Sequence, residues 1–179
     1  MRGIVALCVA LVGAPACAQN QSPSAPPCGG PEYRTLDFWV GDWVAEWDNG
    51  NGTKGTGTNR ITLDEHGRCA IVEHFHSDDG KLDGFSISTY RPGLKQWRQT
   101  WVDAQGGYFD LVGGPVTGAD YAFVFENKRL TETQPYKRMI FQDVKPSSFT
   151  WRWQQRAKPE DPWTDHWVIK YRKRGAIAN

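Results

Sequence analysis

The hydrophobic pattern of this chain changes period at a glycine. In Leu36-Asp37-Phe38-Trp39-Val40-Gly41-Asp42-Trp43-Val44-Ala45-Glu46-Trp47, residues Leu36, Phe38 and Trp39 cluster as on one short helical turn. After Gly41, Trp43, Ala45 and Trp47 alternate with Asp42, Val44 and Glu46, the period of a half-buried strand. The hairpin signal Asn49-Gly50-Asn51-Gly52 follows. With 42–48 as the first strand, strand-like runs cover 53–63, 68–77, 84–91, 96–103, 107–112, 121–127, 137–144, 148–156 and 163–173. Between them lie Glu65-His66-Gly67, Asp78-Asp79-Gly80, Arg91-Pro92-Gly93, Gln105-Gly106-Gly107, Gly113-Gly114-Pro115, Lys145-Pro146 and Lys158-Pro159, all turn chemistry. No stretch sustains apolar residues at helical spacing, and no internal repeat is visible. About ten strands on short links predict an all-β fold: an antiparallel up-and-down barrel with a short helical plug before its first strand. A two-sheet sandwich is the alternative.

Alternation also assigns faces. Around 69–77 one face is Cys69, Ile71, Glu73 and Phe75, the other Ala70, Val72, His74 and His76; the larger apolar pair marks the first as inner. In 96–103 the aromatic face Trp97, Gln99, Trp101 and Asp103 opposes Arg98, Thr100 and Val102. In 84–91, Ser86, Ser88 and Tyr90 are placed inside, although Phe85 and Ile87 compete for that side. Polar groups recurring between aromatics inside a barrel need partners or a ligand, because an unpaired buried carboxylate is costly. Three readings follow. Glu73, Tyr90, Gln99 and Asp103 form a satisfied internal network, with Arg60 or water. Alternatively Trp43, Glu73, Ser86, Ser88, Tyr90, Gln99, Trp101 and Asp103 line a small-molecule cavity whose far wall carries Trp151 and Trp153. As a third reading, Glu73 or Asp103, its pKa raised among aromatics, is the general base of a cofactor-free lyase, isomerase or hydrolase, with Tyr90 or His166 as acid.

The start of the chain changes the compartment rather than the fold. Arg2, an apolar run over 4–12 and the small residues Ala16-Cys17-Ala18 read as a secretory signal peptide, 1–18, cut before Gln19. A lipid anchor on Cys17 is the alternative, opposed by Ala14 and Pro15. Residues 19–31, rich in Ser, Pro, Gly and Ala, read as a flexible linker, 32–174 as the barrel domain and 175–179 as a tail. Loss of Arg2 turns 21 basic residues into 20, against 20 acidic, so nucleic acid is not an expected partner; no run is long enough to span a membrane. Cys28 and Cys69 remain as an even pair in an oxidising compartment and are expected to form a disulfide. The spacing His74-Phe75-His76 could serve a metal, but alternation turns both rings away from Glu73, and no metal site or cofactor is expected.

The motifs Phe38-Trp39-Val40-Gly41-Asp42-Trp43, Thr58-Asn59-Arg60-Ile61, Gly67-Arg68-Cys69, Gly84-x-Ser86-x-Ser88-x-Tyr90 and Trp97-Arg98-Gln99-Thr100-Trp101-Val102-Asp103 resemble those of a group of exported, largely uncharacterised bacterial proteins with a lipocalin-like (calycin) ten-stranded barrel. The likeness covers most of 28–173 and departs at Ser88, where Asn is usual, and in Trp163-Thr164-Asp165-His166-Trp167. It implies the fold and no activity. Related calycin barrels hold haem through a last-strand histidine, which makes His166 a second alternative. The expected function is binding of a small, partly apolar, aromatic ligand by a periplasmic or secreted barrel.

Overall fold

The structure is a computed structural model that describes residues 27–64, 69–128, 131 and 133–175. The expected signal peptide, the turn Glu65-His66-Gly67 and most of the expected tail lie outside the described residues. Ten antiparallel strands close into one up-and-down barrel: β1 Gly41–Asp48, β2 Lys54–Leu63, β3 Ala70–Ser77, β4 Asp83–Arg91, β5 Gln96–Asp103, β6 Tyr108–Pro115, β7 Tyr121–Asn127, β8 Tyr136–Lys145, β9 Ser148–Arg156 and β10 Thr164–Lys173. Closure comes from β1 pairing with β10, Ala45 opposite Tyr171 and Trp47 opposite Ile169. No helix among the described residues is long and apolar enough to cross a membrane.

The helical plug is two 3-10 turns, Pro31–Arg34 and Asp37–Trp39. They deliver Leu36 and Trp39, both fully buried, into the end of the barrel where β1 begins. There Trp39 meets Phe141 edge-on at 5.4 Å and Trp43 meets Phe149 at 4.8 Å. The Trp43 indole N–H donates to the Trp39 carbonyl at 2.8 Å, and Trp97 donates to the Thr35 hydroxyl at 2.9 Å, so the plug is bonded to the wall as well as packed against it. A Cys28–Cys69 disulfide, Cα atoms 5.1 Å apart, ties the chain ahead of the plug to the start of β3.

One predicted turn is wrong. Gly113-Gly114-Pro115 belongs to β6, and the chain reverses only over 116–120. Gly113 opposes Phe125 of β7, and a Cβ there would overlap the Val124 carbonyl. The glycine is thus the mark of close strand approach, not of a reversal.

Candidate functional site

In β3, β4 and β5 the inward face follows the alternation. Glu73 of β3, Ser86 and Ser88 of β4, and Gln99 of β5 are buried, while Phe85 and Ile87 are 44 % and 48 % exposed on the outer face. Cross-strand register sets Glu73 opposite Ser86, and Ser88 opposite Gln99. These side chains join in one chain of hydrogen bonds. The Gln99 amide donates to Ser88 at 2.9 Å and to Ser86 at 3.2 Å, and the Ser86 hydroxyl donates to Glu73 Oε2 at 2.6 Å. On the other flank Asn59 Nδ2 donates to Glu73 Oε1 at 2.7 Å and to the Tyr171 hydroxyl at 3.3 Å. Tyr171 and Asn59 stand on β10 and β2 and meet across β1, where Ala45, paired with Tyr171, presents only a methyl group.

This polar belt lies beneath a cavity of about 150 Å³ on the side away from the plug. Its walls are Trp101, Trp151, Trp153 and Trp167, with Phe75, Phe109 and Met139. Trp151 and Trp153 lie parallel at 6.2 Å, two steps apart on one face of β9, and Trp167 stands edge-on to Trp151 at 5.8 Å and to Phe75 at 5.8 Å. The Trp101 ring occupies the space that a side chain at Gly84 would fill. Glu73, Gln99 and Tyr171 line the cavity together with these rings, and Asp103 and Leu82 join them where β5 ends and β4 begins. Lys137 sits near, its ammonium 5.0 Å from the Phe109 ring and 5.9 Å from the Trp153 ring.

The two lumen carboxylates differ. Burial raises the pKa of Glu73 from 4.5 to about 7, against the opposing pull of its hydrogen bonds from Ser86 and Asn59. Asp103 was expected to behave the same way and does not. Its slight burial pushes upward, but the Trp101 indole and the backbone N–H groups of Gly107 and Gln105 all donate to it and hold it below the ordinary carboxylate range. Asp103 is a loop anchor that remains ionised. Burial, and then the neighbouring Glu73 charge, raise the Tyr171 hydroxyl well above its ordinary value, so it stays protonated.

Of the residues expected at the site, Glu73, Gln99, Trp101, Asp103, Trp151 and Trp153 line this cavity. Ser86 and Ser88 stand behind it as hydrogen-bond partners. Trp43 and Tyr90 are at the plugged end, Tyr90 edge-on to Tyr33 at 5.3 Å and 6.1 Å from Trp97. His166 is exposed, beside a register shift in β10 between Asp165 and Trp167, so it reaches neither Glu73 nor a group held in the lumen. Arg60 is also exposed, 3.9 Å from Asp42, and does not join the internal network. His74 stacks on Phe85 and His76 pairs with Asp83 on the outer face.

Sequence reasoning missed Asn59, Tyr171, Trp167, Phe109 and Met139. The alternation Trp167, Ile169, Tyr171 was available to mark the inner face of β10, but only closure against β1 brings that face to Glu73. Compared with known proteins, the chain matches no family model and no curated protein.

Proposed function

We propose that this calycin-like barrel binds a small, partly apolar, aromatic ligand in the cavity above Glu73, after export to a periplasm or beyond the cell. The observation that carries the reading is an aromatic-walled space of about 150 Å³ with a buried, interconnected polar floor of Glu73, Gln99 and Tyr171. Apolar walls with a few convergent polar groups are the usual build of a small-molecule site. Space of this size accepts about one aromatic ring, as an engineered apolar cavity of about 150 Å³ accepts benzene. The Cys28–Cys69 disulfide supports export, since such bonds persist in oxidising compartments.

The test is saturable quenching of tryptophan fluorescence by single-ring aromatics, together with native mass spectrometry of protein taken from its producing cell. Trp101→Ala and Gln99→Ala should weaken binding while leaving the fold intact. If those variants only lose stability and no aromatic probe saturates, the floor is internal packing and the binding reading fails.

One observation favours catalysis as a second reading. Glu73, at about 7, is poised to accept a proton near neutral pH, and the protonated Tyr171 hydroxyl shares its Asn59 partner. Tyr171, rather than Tyr90 or His166, is then the hydrogen-bond donor. An enzyme would convert its ligand and lose turnover, not affinity, in Glu73→Gln; a carrier would return the ligand unchanged.

A further inference from the structure

Glu73 is the only acidic or basic side chain among the buried described residues, 8 % exposed. Its two oxygens meet neutral donors, Asn59 Nδ2 and Ser86 Oγ, and it forms no ion pair among the described residues. A carboxylate offers about four lone-pair sites, so these two donors leave acceptor capacity unused. Asn59 Oδ1, also buried, has no donor among the described residues. The floor of the cavity, the protonated Tyr171 hydroxyl included, therefore holds more acceptor capacity than its neutral donors fill, and no positive charge. Above it stand ring faces, whose negative quadrupoles attract cations. Two of the lining rings, Phe109 and Trp153, already carry an ammonium, that of Lys137.

Resting on the binding reading above, we infer that the ligand is an organic cation: a single-ring arylalkylamine whose ammonium donates to Glu73 and whose ring lies among Trp101, Trp151, Trp153 and Trp167. An ammonium brings three N–H donors to that spare acceptor capacity, and the positive charge that the floor lacks. A neutral alcohol supplies a single donor and leaves an ionised Glu73 without a counter-charge. An anion would face Glu73 at the floor and Asp103 at the rim.

The groups facing Glu73 give the pairing a pH dependence. Asn59 from β2, Ser86 from β4, Gln99 from β5 and Tyr171 from β10 are neutral, and β6 and β9 contribute Phe109, Leu111, Trp151 and Trp153. Of the charged side chains, Asp103 lines the cavity beside Glu73 and stays ionised, and Lys137 stands over the Phe109 ring; Asp79, Lys81 and Asp83 lie in and beside the turn next to Leu82, exposed and paired with one another or with His76. The histidines His74, His76 and His166 are exposed. Binding of the cation therefore follows ionisation of Glu73, whose pKa burial raises to about 7 in the free protein.

The experiment compares benzylamine, benzyl alcohol and benzoate by calorimetric or fluorescence titration at about pH 8 and about pH 5.5, on the natural chain, Glu73→Gln and Lys137→Met. At the higher pH benzylamine should bind at least roughly tenfold tighter than benzyl alcohol. Its affinity should fall roughly 30-fold at the lower pH, the change in the ionised fraction of Glu73. Glu73→Gln should erase the preference, and Lys137→Met should leave it intact or enlarge it. Benzyl alcohol binding as tightly as benzylamine, or a preference that persists in Glu73→Gln, overturns the inference while the binding reading stands. Benzoate binding best, with its affinity lost in Lys137→Met, overturns it in favour of an anion. The wild-type pH arm decides the matter even if Glu73→Gln does not fold. No saturable binding of any probe would defeat the binding reading itself.

Discussion

The two ends of this barrel are built from the same residue types and end up in opposite states. At one end Trp39, Trp43, Trp97, Phe123, Phe141 and Phe149 are all buried and interlocked edge to face. At the other, Trp101, Trp151, Trp153 and Trp167 are only partly buried and surround a space of about 150 Å³. The difference is the chain itself. Before entering β1 it turns through Leu36, Phe38 and Trp39, which fill the first end; nothing among the described residues enters the second. The hydrogen-bonded belt of Asn59, Glu73, Ser86, Gln99 and Tyr171 lies between them. Dense packing and an open cavity are thus separated along one axis, each built from its own set of aromatic side chains.

The largest expected effect is at the filled end. Trp43→Ala removes a fully buried indole, its contact with Phe149 and its hydrogen bond to Trp39, and should cost about 3–5 kcal/mol in denaturant melts. Ligand affinity should survive in the fraction that folds. Loss of affinity with little change in stability would mean that the two ends are not divided in this way.

The disulfide belongs to the same end and comes next. It closes a sequence separation of 41, and its removal in Cys28→Ser with Cys69→Ser should cost about 3–4 kcal/mol in the chain-entropy account. Unreduced, denatured protein should titrate with no free thiol from this pair. A reduced protein that melts with the oxidised one would show that the plug is held by packing alone.

Glu73 gives a slightly smaller, pH-dependent effect. Its folded pKa of about 7 lies above the ordinary 4.5, so the folded state binds the proton more tightly than the unfolded chain does. The Glu73 contribution to stability is fully present below about pH 4.5 and is lost as the pH rises through 7, by about 3 kcal/mol in all. Glu73→Gln should flatten that slope, leaving the acid limb to the surface carboxylates. A natural chain whose stability rises across this window through Glu73 would contradict the buried, uncompensated carboxyl.

How much of this was legible depends on what alternation encodes. Period-2 spacing gave the inner faces of β3, β4 and β5, and so put Glu73, Ser86, Gln99 and Trp101 in the lumen. It says which face a residue takes and not how far along the barrel it stands. Tyr90 and Trp101 share an inner face across neighbouring strands, yet one packs on Tyr33 near the plug and the other walls the cavity. Height depends on strand tilt and stagger, which are properties of the closed barrel. The same limit hid Asn59 and Tyr171, whose meeting across Ala45 exists only because β1 pairs with both β2 and β10. Asp103 was misjudged for a different reason: its loop supplies two backbone N–H groups that no side-chain pattern displays.

The smallest effect concerns a tryptophan at the cavity end that takes no part in the cavity. Trp163 lies in the connection from β9 to β10, on the outside, with the Arg138 guanidinium 4.4 Å from its ring centre on one contact and that of Arg156 at 4.3 Å on another. All three side chains are half-buried, and contacts of this kind near the surface contribute about 0.5–1 kcal/mol each. Both arginines keep other partners when the ring is removed: Arg138 donates to Gln154 at 2.7 Å, and Arg156 donates to the Pro159 carbonyl. Trp163 belongs neither to the core cluster nor to the rings packed against it, so its removal opens no void there. Trp163→Ala should therefore cost about 1 kcal/mol, several-fold less than Trp43→Ala, and leave ligand quenching of the remaining tryptophans unchanged. Equal losses in the two variants would mean that stability is spread evenly along the barrel, and the contrast between a packed end and a hollow one would lose its energetic meaning.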